Sequence, residues 1–430
     1  MTKHVVSIVF LTALTTTALA QTPSPEPERR PVRVIVSENA SSSNEPSAIK
    51  PRPTPIIVGR ERIVERSNET AARDQSVTSV SKEGRRNETD RTLSFREIKA
   101  KIAEARRQLQ SRPVSTSAVG SQYEGIEIVR LVFHDWDTNE LDFVVMTKEA
   151  FLSTAADKVL TSEKGRSLVV KTIRGNGVNT PVTITDSTGG SHLPILVQYP
   201  RVERGRYLET AYYMSSHPGL GTPEVVNAGQ VYVRNVLELA RERLTGLGIR
   251  IEPKVVDIAE RLVAVEHVDH WRFRNEPHDS IFRDIYTLYA LNEGQTYRYA
   301  VSSAGAGGMI QMIPSTYRMV RNHFSQVPLN PDFVEGMRDH ANAAQAMLLY
   351  KQWTWEDLRR RAAISGALLE GIATQEQLMA AGYNSNPARL AGYITRGGAG
   401  WTNLIPRETQ IYLRIFKAHV DHVPMAPRQR

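Results

Sequence analysis

The apolar residues of this 430-residue chain change their period near Pro223, and that change limits what the chain can fold into. From about residue 123 to 215 they come in short runs rich in β-branched side chains, at 126–133, 141–146, 167–173, 181–185, 193–199 and 206–214. Such runs, separated by turn residues, make strands. Past Pro223 apolar residues recur every three to four positions to the end of the chain, which buries one face of a helix. Strands in one block and helices in the next predict an α+β multidomain fold. The first block, residues 120–221, reads as a small, mostly antiparallel β domain. Asp135-Trp136-Asp137-Thr138-Asn139 is a turn-type cluster between its first two strands, and Gly175, Gly177, Gly189 and Gly190 punctuate the later ones. Gly175-Asn176-Gly177 is too isolated for a phosphate loop and reads as a hairpin turn; residues 148–159 read as a short helix. No catalytic constellation occurs in this block, so its expected role is to bind or position something.

Upstream the chain changes character twice. Lys3 and His4 precede a short apolar run, and Ala18-Leu19-Ala20 is a small-x-small cleavage pattern, so residues 1–20 read as a secretory signal peptide. The run is too short to span a bilayer, which predicts an exported protein of the periplasm or cell envelope with no stable membrane span after cleavage. Residues 21–91 are dominated by Pro, Ser, Glu, Arg and Asn, a composition that cannot bury enough surface to offset chain entropy. A disordered linker is expected there. Residues 92–113 then read as a helix: Ser94 and Glu97 have capping-box spacing, and Ile98, Ile102, Ala105 and Leu109 share a face. The formal net charge of +8 attracts polyanions of many kinds without choosing among them. With no cysteine, the fold uses neither disulfides nor thiolate metal sites.

Residues 222–425 hold the chemistry. Pro253 opens a helix with Ile258, Leu262 and Val265 at helical spacing, and the helix ends on Glu266-His267-Val268-Asp269-His270. The most specific stretch follows, Ser302-Ser303-Ala304-Gly305-Ala306-Gly307-Gly308-Met309-Ile310-Gln311-Met312-Ile313-Pro314-Ser315-Thr316. Its glycines permit tight turns, Gln311 is expected on a short helix, and Pro314 suits the first turn of the next. Asp339-His340-Ala341-Asn342-Ala343-Ala344, then Ala380-Ala381-Gly382-Tyr383-Asn384 with Asn386, then Pro406-Arg407-Glu408-Thr409-Gln410-Ile411-Tyr412 come after it in order. Together these resemble the soluble lytic transglycosylase family over roughly residues 252–420. There a Ser is followed by Gly-Ala-x-Gly-x-x-Gln-x-x-Pro-x-Thr, an Asp-x-x-Asn helix, Ala-Tyr-Asn-x-Gly and Pro-x-Glu-Thr-x-x-Tyr. Two departures stand out: Gly382 replaces the usual Ala, and Asn386 stands near the usual Gly.

The resemblance implies an all-α lysozyme-like domain that cleaves peptidoglycan glycan strands, needing neither cofactor nor metal and binding no nucleic acid. The family works with one glutamate at the end of a buried helix, as general acid and then base. Two glutamates compete for that place. Glu266 ends an apolar helix on the face of Ile258 and Leu262, with Trp271 and Phe273 just beyond, but it precedes Ser302 by 36 residues where the family has about nine. An insertion over about residues 274–298 is then required. Glu293 has the family's spacing and follows Ile285 and Tyr289, yet Asn292-Glu293-Gly294-Gln295 reads as an exposed helix end. Burial favours Glu266. Tyr383 and Asn384 would face the carboxyl and the sugar, with Ser302 and Gln311 lining the cleft. His267, Asp269 and His270 lack a third histidine for a metal site, and Trp353 and Trp355 read as core before sugar platforms. The competing reading from another class is a wall-binding or scaffolding protein that kept a lysozyme-like fold without turnover. A hydrolytic lysozyme is a variant within the enzyme class.

Overall fold

The computed structural model describes residues 91–112, 127–203 and 205–429. The signal-peptide and linker readings, and the start of the first strand at 126, lie outside them. The described residues form a mixed α+β fold with one curled antiparallel sheet and thirteen α-helices. None of these helices is long and apolar enough to cross a membrane.

Helix α1 (Phe95–Ser111) starts as its sequence indicates, with the Ser94 and Glu97 side chains capping each other's backbone. The strands follow: β1 (Ile128–Asp135), β2 (Glu140–Thr147), β3 (Lys158–Thr161), β4 (Ser167–Thr172), β5 (Val182–Asp186), β6 (Ser191–Glu203) and β7 (Arg206–Tyr213). Their order is β2-β1-β6-β5-β4-β3, with β7 on β6. Successive side chains on β1 point to opposite faces. Val132 joins α1's Ile98, Ile102 and Leu109 on one side, while Leu131 and Phe133 join Phe151, Leu168 and Ile184 on the other. Cover on both faces explains why this strand reads as an unbroken apolar run.

Two details differ from the sequence reading. Helix α2 (Lys148–Leu152) is one short turn capped by Thr147, and the residues expected to prolong it to 159 instead supply β3. Lys-Val-Leu-Thr is too short to show a period by itself; pairing with β4 makes it a strand. Gly175-Asn176-Gly177 does lie in the connection of an antiparallel pair, β4 and β5, but as part of a longer loop with a 3-10 turn at Gly177–Asn179.

The helical block is α3 (Pro223–Gly246), α4 (Pro253–Val265), α5 (His270–Asn275), α6 (His278–Asn292), α7 (Pro314–His323), α8 (Phe333–Arg338), α9 (His340–Arg359), α10 (Ala362–Leu369), α11 (Gln375–Asn384), α12 (Leu390–Gly397) and α13 (Arg407–His422). At its centre lies α9, buried on every side from His340 to Gln352. A helix can be enclosed this way where small residues let neighbours approach, and Ala341, Ala343, Ala344 and Ala346 supply them.

The stretch read as an insertion between Glu266 and Ser302 turns out to be structural. It forms α6, whose residues from Ile285 to Asn292 are all buried. Ile281, Phe282, Ile285, Tyr286 and Tyr289 enter the core of the helical block, whereas Leu288, Ala290 and Leu291 enter the two apolar clusters of the sheet. Asn292 ends the helix by pairing with the backbone of Met214: its Oδ1 accepts from the Met214 N–H at 2.8 Å and its Nδ2 donates to the Met214 carbonyl at 3.0 Å. The two blocks therefore share apolar cores across one helix. Replacing Asn292 by Ala leaves a buried donor and a buried acceptor unpaired, and the expected loss is about 2–4 kcal/mol in urea unfolding. An unchanged midpoint would contradict a role for α6 in joining the sheet to the helices.

Candidate active site

Glu266 caps the C-terminus of α4, a helix whose residues from Leu262 to Val265 are all buried. The residue as a whole is half-buried, with its carboxyl group on the protein side. Burial pushes its pKa up to about 8; the Tyr412 hydroxyl and Lys351 pull it down, and Glu408 pushes it further up. The last carbonyls of α4, the negative end of the helix dipole, also disfavour a charge there. The group is thus predominantly a neutral carboxylic acid at pH 7.

Three helices converge on this acid. From α13, the Tyr412 hydroxyl donates to Glu266 Oε1. From α9, Lys351 sends a fully buried ammonium stem inward, where Nζ donates to the Met379 carbonyl at 2.7 Å and lies 4.6 Å from the centre of the Tyr383 ring. Burial lowers the Lys351 pKa well below the ordinary lysine value, and Glu266 opposes that shift. From α11 comes Tyr383, whose hydroxyl donates to the Ile310 carbonyl at 2.7 Å. Its neighbour Asn384 accepts from the Thr409 hydroxyl at 2.8 Å, one turn of α13 before Tyr412.

The glycine-rich segment forms the wall between α6 and α7. Val301, Gly307 and Met312 bridge one another as short antiparallel contacts. At Gly308 the backbone has φ +67° and a β-carbon would stand 2.4 Å from the Met337 carbonyl oxygen, so no other residue fits without moving α8. Gln311 is not on a helix: it follows the 3-10 turn Gly308–Ile310 in a left-handed conformation, φ 46°. Its amide donates to the Gly308 carbonyl at 2.9 Å, bracing the turn that presents the Ile310 carbonyl to Tyr383. Ser302 also turns to its own loop, its hydroxyl accepting from the Ala306 N–H at 3.0 Å. Pro314 opens α7 as expected. His267 joins α4 to this wall, donating from Nε2 to the Met309 carbonyl at 3.0 Å and stacking on Tyr297 with ring centres 3.4 Å apart.

The structure thus brings Glu266 and Tyr383 into one cluster, with Asn384 tied to the helix that carries Tyr412. Ser302 and Gln311 shape the neighbouring loop. Glu293 lies elsewhere: it is exposed just past α6 and forms an ion pair with Lys99 of α1. His267 and Asp269 serve separate ends, since Asp269 caps α5 by accepting from the Arg272 N–H at 2.8 Å. Trp355 is core, Trp353 stacks on His323, and Trp271 on α5 is half exposed. At Gly382 a β-carbon would come 3.1 Å from the Pro387 side chain, a tight contact. Lys351 escaped the sequence reading because nothing in Tyr350-Lys351-Gln352 marks a buried cation. It stands four residues after Met347 on the same helical face, a weak signal. Tyr412 was legible as a motif residue but not as the partner of the acid.

The protonation state is open to direct observation. A difference infrared spectrum between the wild-type chain and Glu266→Gln is expected to show a protonated carboxyl band at pH 7 that vanishes with a midpoint near 8. Tyr412→Phe removes a hydrogen bond to the ionised form and is expected to raise that midpoint; a wild-type midpoint near 4.5 would contradict the assignment. Compared with protein-family models, curated proteins and solved structures, the chain gives no match.

Proposed function

We propose that the helical block is a lysozyme-like domain that cleaves the β-1,4 bond between N-acetylmuramic acid and N-acetylglucosamine in peptidoglycan, as lytic transglycosylases do. The observation that carries this reading is a single neutral carboxylic acid at the end of a buried helix, on a half-buried residue that Tyr412 holds by a hydrogen bond. Such a group donates protons near neutral pH, where an ordinary glutamate is ionised. Glu266 gives its proton to the glycosidic oxygen as the bond from muramic acid C1 to that oxygen breaks. The resulting carboxylate takes the proton of the muramic acid 6-hydroxyl, whose oxygen closes on C1. The products are a 1,6-anhydro end and a free N-acetylglucosamine 4-hydroxyl, with no water consumed. Asn384 and the loop of Ser302 and Gln311 would border the sugar. The signal-like first twenty residues agree with an exported, envelope-facing enzyme, and no metal or cofactor has a part in the step.

One observation favours a second reading. Glu408 is exposed on α13 and near enough to Glu266 to raise its pKa. A second carboxylate across a sugar is what a hydrolase uses to activate water. Product mass separates the two.

Digestion of purified peptidoglycan with the wild-type chain is expected to release anhydromuropeptides. Glu266→Gln is expected to lower the rate by about 10²–10⁴-fold, while Glu293→Gln retains it. Hydrated reducing ends that disappear in Glu408→Gln would replace lytic cleavage by hydrolysis. A folded chain that binds the wall and releases nothing would reverse the reading to a scaffold.

A further inference from the structure

The sheet carries a second cluster of ionisable side chains, away from the acid and independent of the function proposed for it. One carboxylate oxygen each from Asp135 and Asp137, at the turn between β1 and β2, and a ring nitrogen of His192 at the start of β6 all lie within 4.8 Å of one another. Asp135 and His192 are buried, while Asp137 stands at the rim.

The orientation of His192 is the informative part. Its Nε2 is 3.3 Å from Asp186 Oδ2. Asp186 Oδ1 accepts from the Thr188 hydroxyl at 2.7 Å and from the Thr188 and Gly190 N–H groups at 2.8 Å each, which leaves Oδ2 turned to the ring. A carboxylate only accepts, so the contact with Asp186 places a ring proton on Nε2. The other ring nitrogen, Nδ1, is buried without a hydrogen-bond partner and faces Asp135 Oδ1 at 3.5 Å. Nδ1 and the Asp135 oxygen face each other across a gap that calls for positive charge, supplied either by a second ring proton or by a metal ion. A cation resolves that arrangement, and the carboxylate behind the imidazole is the usual outer partner of a metal-bound histidine.

Arg166 does not fill this role. It contacts Oδ2 of all three carboxylates, Asp135 at 2.7 Å, Asp137 at 2.9 Å and Asp186 at 3.2 Å. It thereby aligns them while leaving Nδ1 of His192 unpaired. Arg91 stands 3.6 Å from the remaining oxygen of Asp137 on the exposed side.

We propose that Asp135, Asp137 and His192 Nδ1 bind one divalent first-row cation of the zinc or manganese class, which pins the β1–β2 turn to β6. An imidazole with two carboxylates suits those ions, whereas calcium and magnesium prefer oxygen alone. The site departs from the sequence reading, which weighed only the histidines near Glu266 and expected no metal.

The test uses the full chain, freed of metal by chelation and titrated with zinc chloride or manganese chloride alone. Calorimetry is expected to give one equivalent bound, with a rise in melting temperature. Asp137→Asn, at an exposed position that leaves the core intact, is expected to weaken binding by about tenfold or more, on the scale seen when metal-site groups are altered, and His192→Gln to abolish it. Failure of a folded chain to bind either ion would overturn the proposal. So would binding that Asp137→Asn leaves unchanged, or a calcium preference that ignores His192→Gln.

Discussion

The carboxyl group of Glu266 is held where water cannot fully solvate it, at the end of a buried helix and against Tyr412. Helix α4 is buried over its last turn, so its C-terminal residue cannot swing outward without exposing Val263, Ala264 and Val265. Tyr412 of α13 donates to it, and Lys351 of α9 lies near enough to favour its charge. Burial disfavours charge on both Glu266 and Lys351, and each partly restores the charge of the other. The balance leaves a neutral acid whose conjugate base is still tolerable, since Tyr412 and Lys351 stabilise it once the proton has gone. A group with that property can give a proton and take one back in a single turnover.

The surroundings of this acid explain why α6 intervenes between it and the glycine-rich loop. Tyr289 of α6 packs edge-on against Tyr297, which in turn stacks on His267, the residue after Glu266. The same helix sends Leu288, Ala290 and Leu291 into the sheet. The packing that fixes the end of α4 is therefore continuous with the core of the β layer. A sheet that shares a core with the acid's own helix is held in place relative to it by packing.

Much of this was legible in the sequence where a residue's role is local. The capping box of α1, the period of the strands, Pro314 at the start of α7 and the apolar face leading to Glu266 depend on neighbours within a few positions, and the structure has them. Features set by distant partners were not legible. β3 exists because β4 pairs with it. Lys351 is buried because α9 is enclosed on every side, which its own polar neighbours conceal. The stretch between Glu266 and Ser302 reads as extra length until its apolar residues are seen dividing between two cores. Gln311 took a left-handed turn in place of a helix because Gly308 meets the Met337 backbone.

The central claim, that Glu266 acts as a protonated acid tuned by its buried neighbours, is most directly tested by the pH dependence of single-turnover glycan cleavage. A donor must hold its proton, so the wild-type rate is expected to fall as pH rises through about 8. Tyr412→Phe removes a hydrogen bond that favours the carboxylate and is expected to move that alkaline limb to higher pH. A rate that already falls near the ordinary glutamate value, or a limb that Tyr412→Phe leaves in place, would contradict it.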